Sequence, residues 1–185
     1  GVVVGHGDGV TGPPLGTLVS VESHVVCGVC VLCRTGKGHL CPQTSILGVH
    51  RDGVFADFVA VPEVNCWPDP PGMPLSIASL QENFGNAVHT ASTPAVAGRK
   101  VLVTGCGPVG VMAIAAARAL GARSVLASDV SEYRLAMARA MGAEAVFNPA
   151  QTDLEAGVLA ATDGDGVDVL LEMSGVASAI DQGFR

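Results

Sequence analysis

Four cysteines fall within fifteen residues, as Cys27-x-x-Cys30-x-x-Cys33-x7-Cys41, with Gly28, Gly36 and Gly38 among them. Four thiolates on one compact loop can close a tetrahedral zinc site with no open position, which makes such a site structural. An iron–sulfur cluster is the rival reading, because cysteines at x-x spacing also hold clusters, although the last interval there is three residues and here it is seven. Cys66 and Cys106 stand apart. A disulfide framework suits small secreted domains, so the crowding of four cysteines in a longer chain points to metal ligation in a reducing compartment.

A second pattern, Gly105-Cys-Gly107-Pro-Val-Gly110, follows an apolar run and opens an Ala-rich one. In a strand–turn–helix, Gly105 permits the tight turn, Gly107 lets a pyrophosphate approach the backbone and Gly110 lets helix pack closely on strand. The phosphates would meet amide groups at the helix N-terminus. Asp129 stands 19 residues beyond Gly110, where a carboxylate can accept ribose hydroxyls and repel a 2′-phosphate, favouring NAD over NADP. Arg134, one turn into the next helix, either covers the adenosine side of the cofactor or is a solvated helix residue. A third region, Ser79-Leu-Gln-Glu82-Asn-Phe-Gly-Asn-Ala-Val-His89-Thr, offers Glu82 as metal ligand, proton relay or ordinary surface acid. His24, in Glu22-Ser-His24, is equally open between structural and catalytic use.

The elements that must position these residues divide near residue 98. Before it, Pro- and Gly-rich segments separate short strand-like runs at Thr17–Val21 and Val54–Val61, with a short helix or two expected over Leu75–Ala91. After it, strands at Lys100–Thr104, Ser124–Ser128, Ala145–Phe147 and Val167–Leu171 alternate with helices at Val109–Leu120, Ser131–Met141, Thr152–Ala161 and from Val176 onward. Strict alternation predicts a doubly wound parallel sheet. The expected domains are therefore residues 1–97, β-rich with the cysteine lobe at 27–41, and 98–185, α/β and nucleotide-binding.

Composition narrows the classes. With 49% hydrophobic and 15% charged residues the chain forms a core and is not disordered. The longest apolar stretch, Val109–Ala117, is too short to span a bilayer, so no membrane role is expected. A net charge of −7 disfavours nucleic acid as a partner.

Taken together, the cysteine lobe, Gly48-Val-His-Arg-Asp-Gly-Val-Phe-Ala-Asp-Phe58, the Glu82 segment and the glycine fingerprint resemble the zinc-containing medium-chain alcohol dehydrogenase family. Glu22-Ser-His24-x-x-Cys27-Gly, His39-Leu-Cys41, Phe84-Gly-Asn-Ala-Val-His-Thr90, Asp129-Val-Ser-Glu-Tyr-Arg134-Leu and Leu171-Glu-Met-Ser-Gly175 look most like its branch acting on L-threonine. The resemblance implies a GroES-like β-rich catalytic lobe followed by a Rossmann domain, each partial. It implies NAD-dependent oxidation of the 3-hydroxyl of this amino-alcohol to 2-amino-3-ketobutyrate with a catalytic zinc, in a cytoplasmic homotetramer. Glu82 would then sit beside that zinc, His24 would line the substrate site, and Val109, Asp129 and Arg134 would contact NAD. Because Gly7 rather than Glu follows Gly5-His6, His6 reads as a strand residue and not a zinc ligand. A chain starting at Gly1 is expected to be an internal fragment without the early catalytic-zinc ligands, inactive by itself. Sister polyol and secondary-alcohol dehydrogenases acting on sorbitol or 2,3-butanediol, and a non-catalytic nucleotide-binding module, are the alternatives.

Overall fold

The computed structural model describes residues 1–184. They form two compact units that divide between Glu82 and Asn83.

In the first unit Gly and Pro recur between the extended runs, and the strands are short and pair in twos. Strand β1 (Val19–Val21) is followed by β2 (His24–Val25), helix α1 (Val31–Arg34), β3 (Ser45–Ile46), β4 (Cys66–Pro68) and helix α2 (Leu75–Ala78). β1 pairs antiparallel with β4, setting Val21 opposite Cys66, and β2 pairs antiparallel with β3, setting His24 opposite Ile46. A single-turn 3₁₀ helix at Gly38–Leu40 follows α1, and another at Glu63–Asn65 leads into β4.

Two expectations fail here. Residues 54–61 form no strand, and Phe55 and Phe58 are exposed. Apolar alternation makes a strand only where a neighbour can take up its backbone hydrogen bonds, and among the described residues none pairs with this run. His6 likewise lies outside any strand, its Nε2 2.8 Å from the Pro13 carbonyl.

Helix α3 (Gln81–Ser92) begins in the last two residues of the first unit. The second unit then runs β5 (Lys100–Thr104), α4 (Pro108–Ala119), β6 (Ser124–Ser128), α5 (Glu132–Ala140), β7 (Ala145–Phe147), α6 (Leu154–Ala161), β8 (Val169–Glu172) and α7 (Ala177–Gly183). The strands form one parallel sheet in the order β7-β6-β5-β8. Parallel strands need crossovers, and their helices cover both faces, which explains why β5 and β6 are apolar on both sides. Alternation sends Val101, Val103, Val125 and Ala127 to one face, where they meet Ile114 of α4 and Leu135 of α5. Leu102 and Leu126 point the other way, onto Leu154 and Val158 of α6. Burying one such aliphatic side chain stabilises by roughly 1.5–3 kcal/mol.

The division at 82/83 precedes the composition shift near 98 because Ala87, Ala91 and Val96 are buried in the same cluster as Val101 and Val103. Among the described residues no helix is long and apolar enough to cross a membrane.

The start of α4 is packed against the turn that precedes it. A Cβ on Gly110 would fall 1.9 Å from the Gly105 carbonyl oxygen, a backbone atom that cannot swing aside. Gly110→Ala is therefore expected to destabilise the second unit by about 1–3 kcal/mol or more, the scale of forced overpacking. Urea unfolding followed by circular dichroism measures it.

Candidate functional site

The sheet order creates a crevice. From β5 the chain crosses to β6 on one side, and later returns to place β8 on the other. Ligands of open α/β sheets bind at such a reversal, outside the carboxyl ends of the strands. There a cavity of about 350 Å³ is lined by Gly105, Gly107, Asp129, Arg134, Ser174 and Gln182, among others. No side chain caps α4, which has Pro108 at its first position, so its leading amides are left for an anion. Gly105 serves two ends at once: its φ is +85°, and a Cβ there would lie 2.6 Å from the Ser174 amide nitrogen.

Asp129, at the end of β6, is buried and tied to the fingerprint turn. Its Oδ2 accepts the Cys106 amide at 2.8 Å, and its Oδ1 accepts the Ser131 amide at 2.8 Å. Each oxygen keeps a lone pair for a ribose hydroxyl. The Arg134 guanidinium stands 3.7 Å from Oδ2. Of the expected cofactor residues, Gly105, Gly107, Asp129 and Arg134 line the cavity; Gly110 sets the helix on the strand, and Val109 packs against the core. Cys106 is buried, and burial together with the Asp129 charge pushes its thiol up to about 12, so it stays neutral.

Across the cavity, Glu172 at the end of β8 orders the loop that meets Gly105. Its carboxylate accepts the Ser174 hydroxyl, the Ser174 amide at 2.8 Å and the Gly175 amide at 3.1 Å. Desolvation alone would raise its pKa, but these donors outweigh it and hold Glu172 below the ordinary 4.5. A carboxylate with a depressed folded pKa stabilises above its unfolded value and loses that contribution as pH falls through the folded value. Glu172→Gln is thus expected to lower the melting temperature at pH 7, with the gap to wild type closing below about pH 4, as a pH series of thermal melts reveals.

In the first unit, the Sγ atoms of the four clustered cysteines lie 3.5 to 3.9 Å apart for Cys27–Cys33, Cys30–Cys33, Cys30–Cys41 and Cys27–Cys41. Thiolates about 2.3 Å from one tetrahedral zinc stand about 3.8 Å from each other. The donor set therefore fits a single ion. A cluster, whose cysteines surround several irons, would spread the sulfurs further. Backbone amides support the sulfurs, Cys30 N–H to Cys27 at 3.4 Å, Cys33 N–H to Cys30 at 3.5 Å and Gln43 N–H to Cys41 at 3.4 Å. Amide donors from Val29 and Cys30 lower Cys27 to about 6, whereas desolvation and the Cys30 thiol raise Cys33 to about 12. Without a cation the Cys27 proton leaves readily and the Cys33 proton is held back.

The remaining predicted residues converge with two that spacing did not reveal. Ser23 Oγ donates to Glu82 Oε1 at 2.9 Å, and its oxygen lies 3.3 Å from His24 Nδ1. His24 Nδ1 is 2.7 Å from Glu22 Oε1, which also accepts the His24 amide at 2.9 Å. The ligand atoms of Glu22, His24 and Glu82 lie within 4.8 Å of one another, so two carboxylates and an imidazole could hold a cation. Buried Asn65 fixes this bend, its side-chain amide donating to the Glu22 carbonyl at 2.9 Å and the His24 carbonyl at 3.0 Å. A polar Asn in Val64-Asn65-Cys66, next to an apolar strand, was the available signal for Asn65; Glu22 and Ser23 had none beyond adjacency to His24.

Residues 1–71 match the alcohol dehydrogenase GroES-like domain, and residues 108–185 match the zinc-binding dehydrogenase domain. The chain is 49% identical over 185 residues to L-threonine 3-dehydrogenase of Bacillus licheniformis, covering 100% of this chain and 54% of that protein. It is 47% identical over 185 residues to L-threonine 3-dehydrogenase of Pyrococcus furiosus, covering 100% of this chain and 53% of that one. It thus spans about half the length of the curated relatives it matches. Among solved structures, alcohol dehydrogenase TADH from Thermus sp. ATN1 superposes with a TM-score of 0.90 at 30% identity, covering 100% of this chain and 56% of that one. With one match in each unit, a four-thiol lobe and a parallel sheet carrying the glycine fingerprint, the chain belongs to the zinc-binding, medium-chain alcohol dehydrogenase family.

Proposed function

We propose that this chain carries the nucleotide-binding and proton-handling parts of an NAD- and zinc-dependent L-threonine 3-dehydrogenase, which oxidises the 3-hydroxyl of L-threonine to 2-amino-3-ketobutyrate. The observation that carries the chemistry is the hydrogen-bonded group of Glu82, Ser23 and His24; the choice of substrate follows relatives 46–49% identical across the whole chain.

When bound, the nicotinamide supplies a hydride acceptor and a catalytic zinc supplies Lewis acidity toward the alcohol oxygen. This chain's residues do the rest of the binding and proton work. Asp129 holds the ribose hydroxyls, and its charge opposes a 2′-phosphate, which favours NAD over NADP. The N-terminus of α4 receives the pyrophosphate through amides that Gly105 and Gly107 leave uncovered. Glu82, held by the Ser23 hydroxyl, is the group suited to take up and pass on the proton that leaves the alcohol. His24 lines the substrate site. Cys27, Cys30, Cys33 and Cys41 would hold a second zinc, which would brace the lobe.

Full-length protein supplied with NAD is expected to form NADH with threonine faster than with sorbitol or 2,3-butanediol; the reverse order would assign a sister dehydrogenase. Glu82→Gln is expected to lower kcat by about 100-fold or more, the range of a lost general acid–base group. Cys30→Ser combined with Cys41→Ser is expected to remove one zinc per chain, read by metal analysis, and to lower stability by several kcal/mol, about the scale of losing a structural metal.

A further inference from the structure

Within the Glu82 group, the donors and acceptors run in one direction. Carboxylates only accept, so the 2.7 Å contact between His24 Nδ1 and Glu22 Oε1 requires the proton on Nδ1. Ser23 then spends its hydroxyl proton on Glu82 at 2.9 Å and turns a lone pair toward the same Nδ1–H at 3.3 Å. In the tautomer that carries this single proton, Nε2 keeps its lone pair. Glu22 is well placed to enforce this. It also accepts the His24 backbone amide at 2.9 Å, and Asn65 clamps the carbonyls on both sides of Ser23. The ring is partly exposed, its side chain 37% accessible, so an acceptor at Nε2 can meet a small molecule.

We infer that Glu22 is a positioning residue of the substrate site: it locks His24 in the Nδ1–H tautomer, so that Nε2 accepts a hydrogen bond from a substrate carrying an ammonium or hydroxyl donor. This rests on the dehydrogenase reading above and deepens it, because an imidazole backed by a carboxylate selects donors, and cationic donors above all. The competing use of the same three groups is ligation of a cation by Glu22, His24 and Glu82; through Nδ1 it would need that proton removed, and through Nε2 it would take up the lone pair that a substrate donor needs.

The test uses full-length protein with the variants Glu22→Ala, Glu22→Gln, His24→Ala and the Glu22→Ala/His24→Ala double. Glu22→Ala is expected to lower kcat/KM for threonine about tenfold or more, the scale of a lost charge-assisted hydrogen bond. Glu22→Gln is expected to recover the larger part, because its amide oxygen still accepts from Nδ1–H. In the His24→Ala background Glu22→Ala is expected to add little, since a residue acting only through His24 has nothing left to orient. Metal content is expected to be the same in all variants.

Wild-type activity from Glu22→Ala, an undiminished Glu22→Ala effect in the His24→Ala background, or loss of a metal ion from both Glu22 variants would each overturn the inference. A readout independent of turnover is the ¹⁵N spectrum of histidine-labelled protein, with His24 assigned by its disappearance in His24→Ala. It is expected to show Nδ1–H in wild type and a shift toward Nε2–H in Glu22→Ala; an unchanged tautomer would sink the inference whatever the substrate proves to be. A wild-type protein inactive on every alcohol, yet showing this tautomer shift, would overturn the dehydrogenase reading and leave the positioning role standing.

Discussion

Backbone N–H groups at turns have no ladder partner, and in this protein carboxylates accept many of them. Asp129 takes the amides of Cys106 and Ser131, Glu172 those of Ser174 and Gly175, Glu22 that of His24, Asp168 that of Lys100 and Asp153 that of Ala156. A buried unsatisfied amide costs about 1–3 kcal/mol, so the contact matters most where it is buried, at the Cys106 amide on Asp129. Three of the five sit at the candidate sites. The same side chains that stop the turns from fraying therefore also set the positions from which a ligand would be held. The acid excess, 17 Asp and Glu against 10 Lys and Arg, reflects in part this turn chemistry.

The two units use different means to the same end. In the sheet unit an apolar core on each face holds the strands, and polar groups such as Asp129 and Ser174 line the crevice. In the first unit the strands are two or three residues long, and cohesion near the site comes from side-chain-to-backbone bonds such as those of Asn65 and from four sulfurs crowded together. That contrast sets a crevice at the edge of a packed sheet in one unit against a cysteine lobe joined to two-stranded ribbons in the other.

Legibility in the sequence follows the range of the forces involved. Lys100–Thr104, Ser124–Ser128 and their helices were readable because a buried parallel strand and an amphipathic helix each repeat over a few residues. The gathering of Cys27, Cys30, Cys33 and Cys41 was readable because residues on one loop keep short intervals. By contrast, Val54–Val61 has the composition of a strand but finds no pairing strand among the described residues, a fact that local pattern does not contain. Ser23 to Glu82 and Asn65 to Glu22 join residues 59 and 43 positions apart, so no spacing rule could reveal them. The early start of the second unit, at Asn83, was hidden for the same reason: Ala87 and Ala91 look like any helix alanines until the sheet lies against them.

The crowding of the four sulfurs also bears on how the lobe ages. Cys30 and Cys33 stand 3.5 Å apart, so closing by about 1.5 Å would bring them to disulfide length. A filled site would keep each sulfur's electron pair on the ion, whereas an emptied one would leave four close thiols, that of Cys27 readily ionised, open to an oxidant. In a lobe that holds zinc, metal occupancy and redox integrity would thus be a single property, lost together in a preparation stored without a reductant or without the metal.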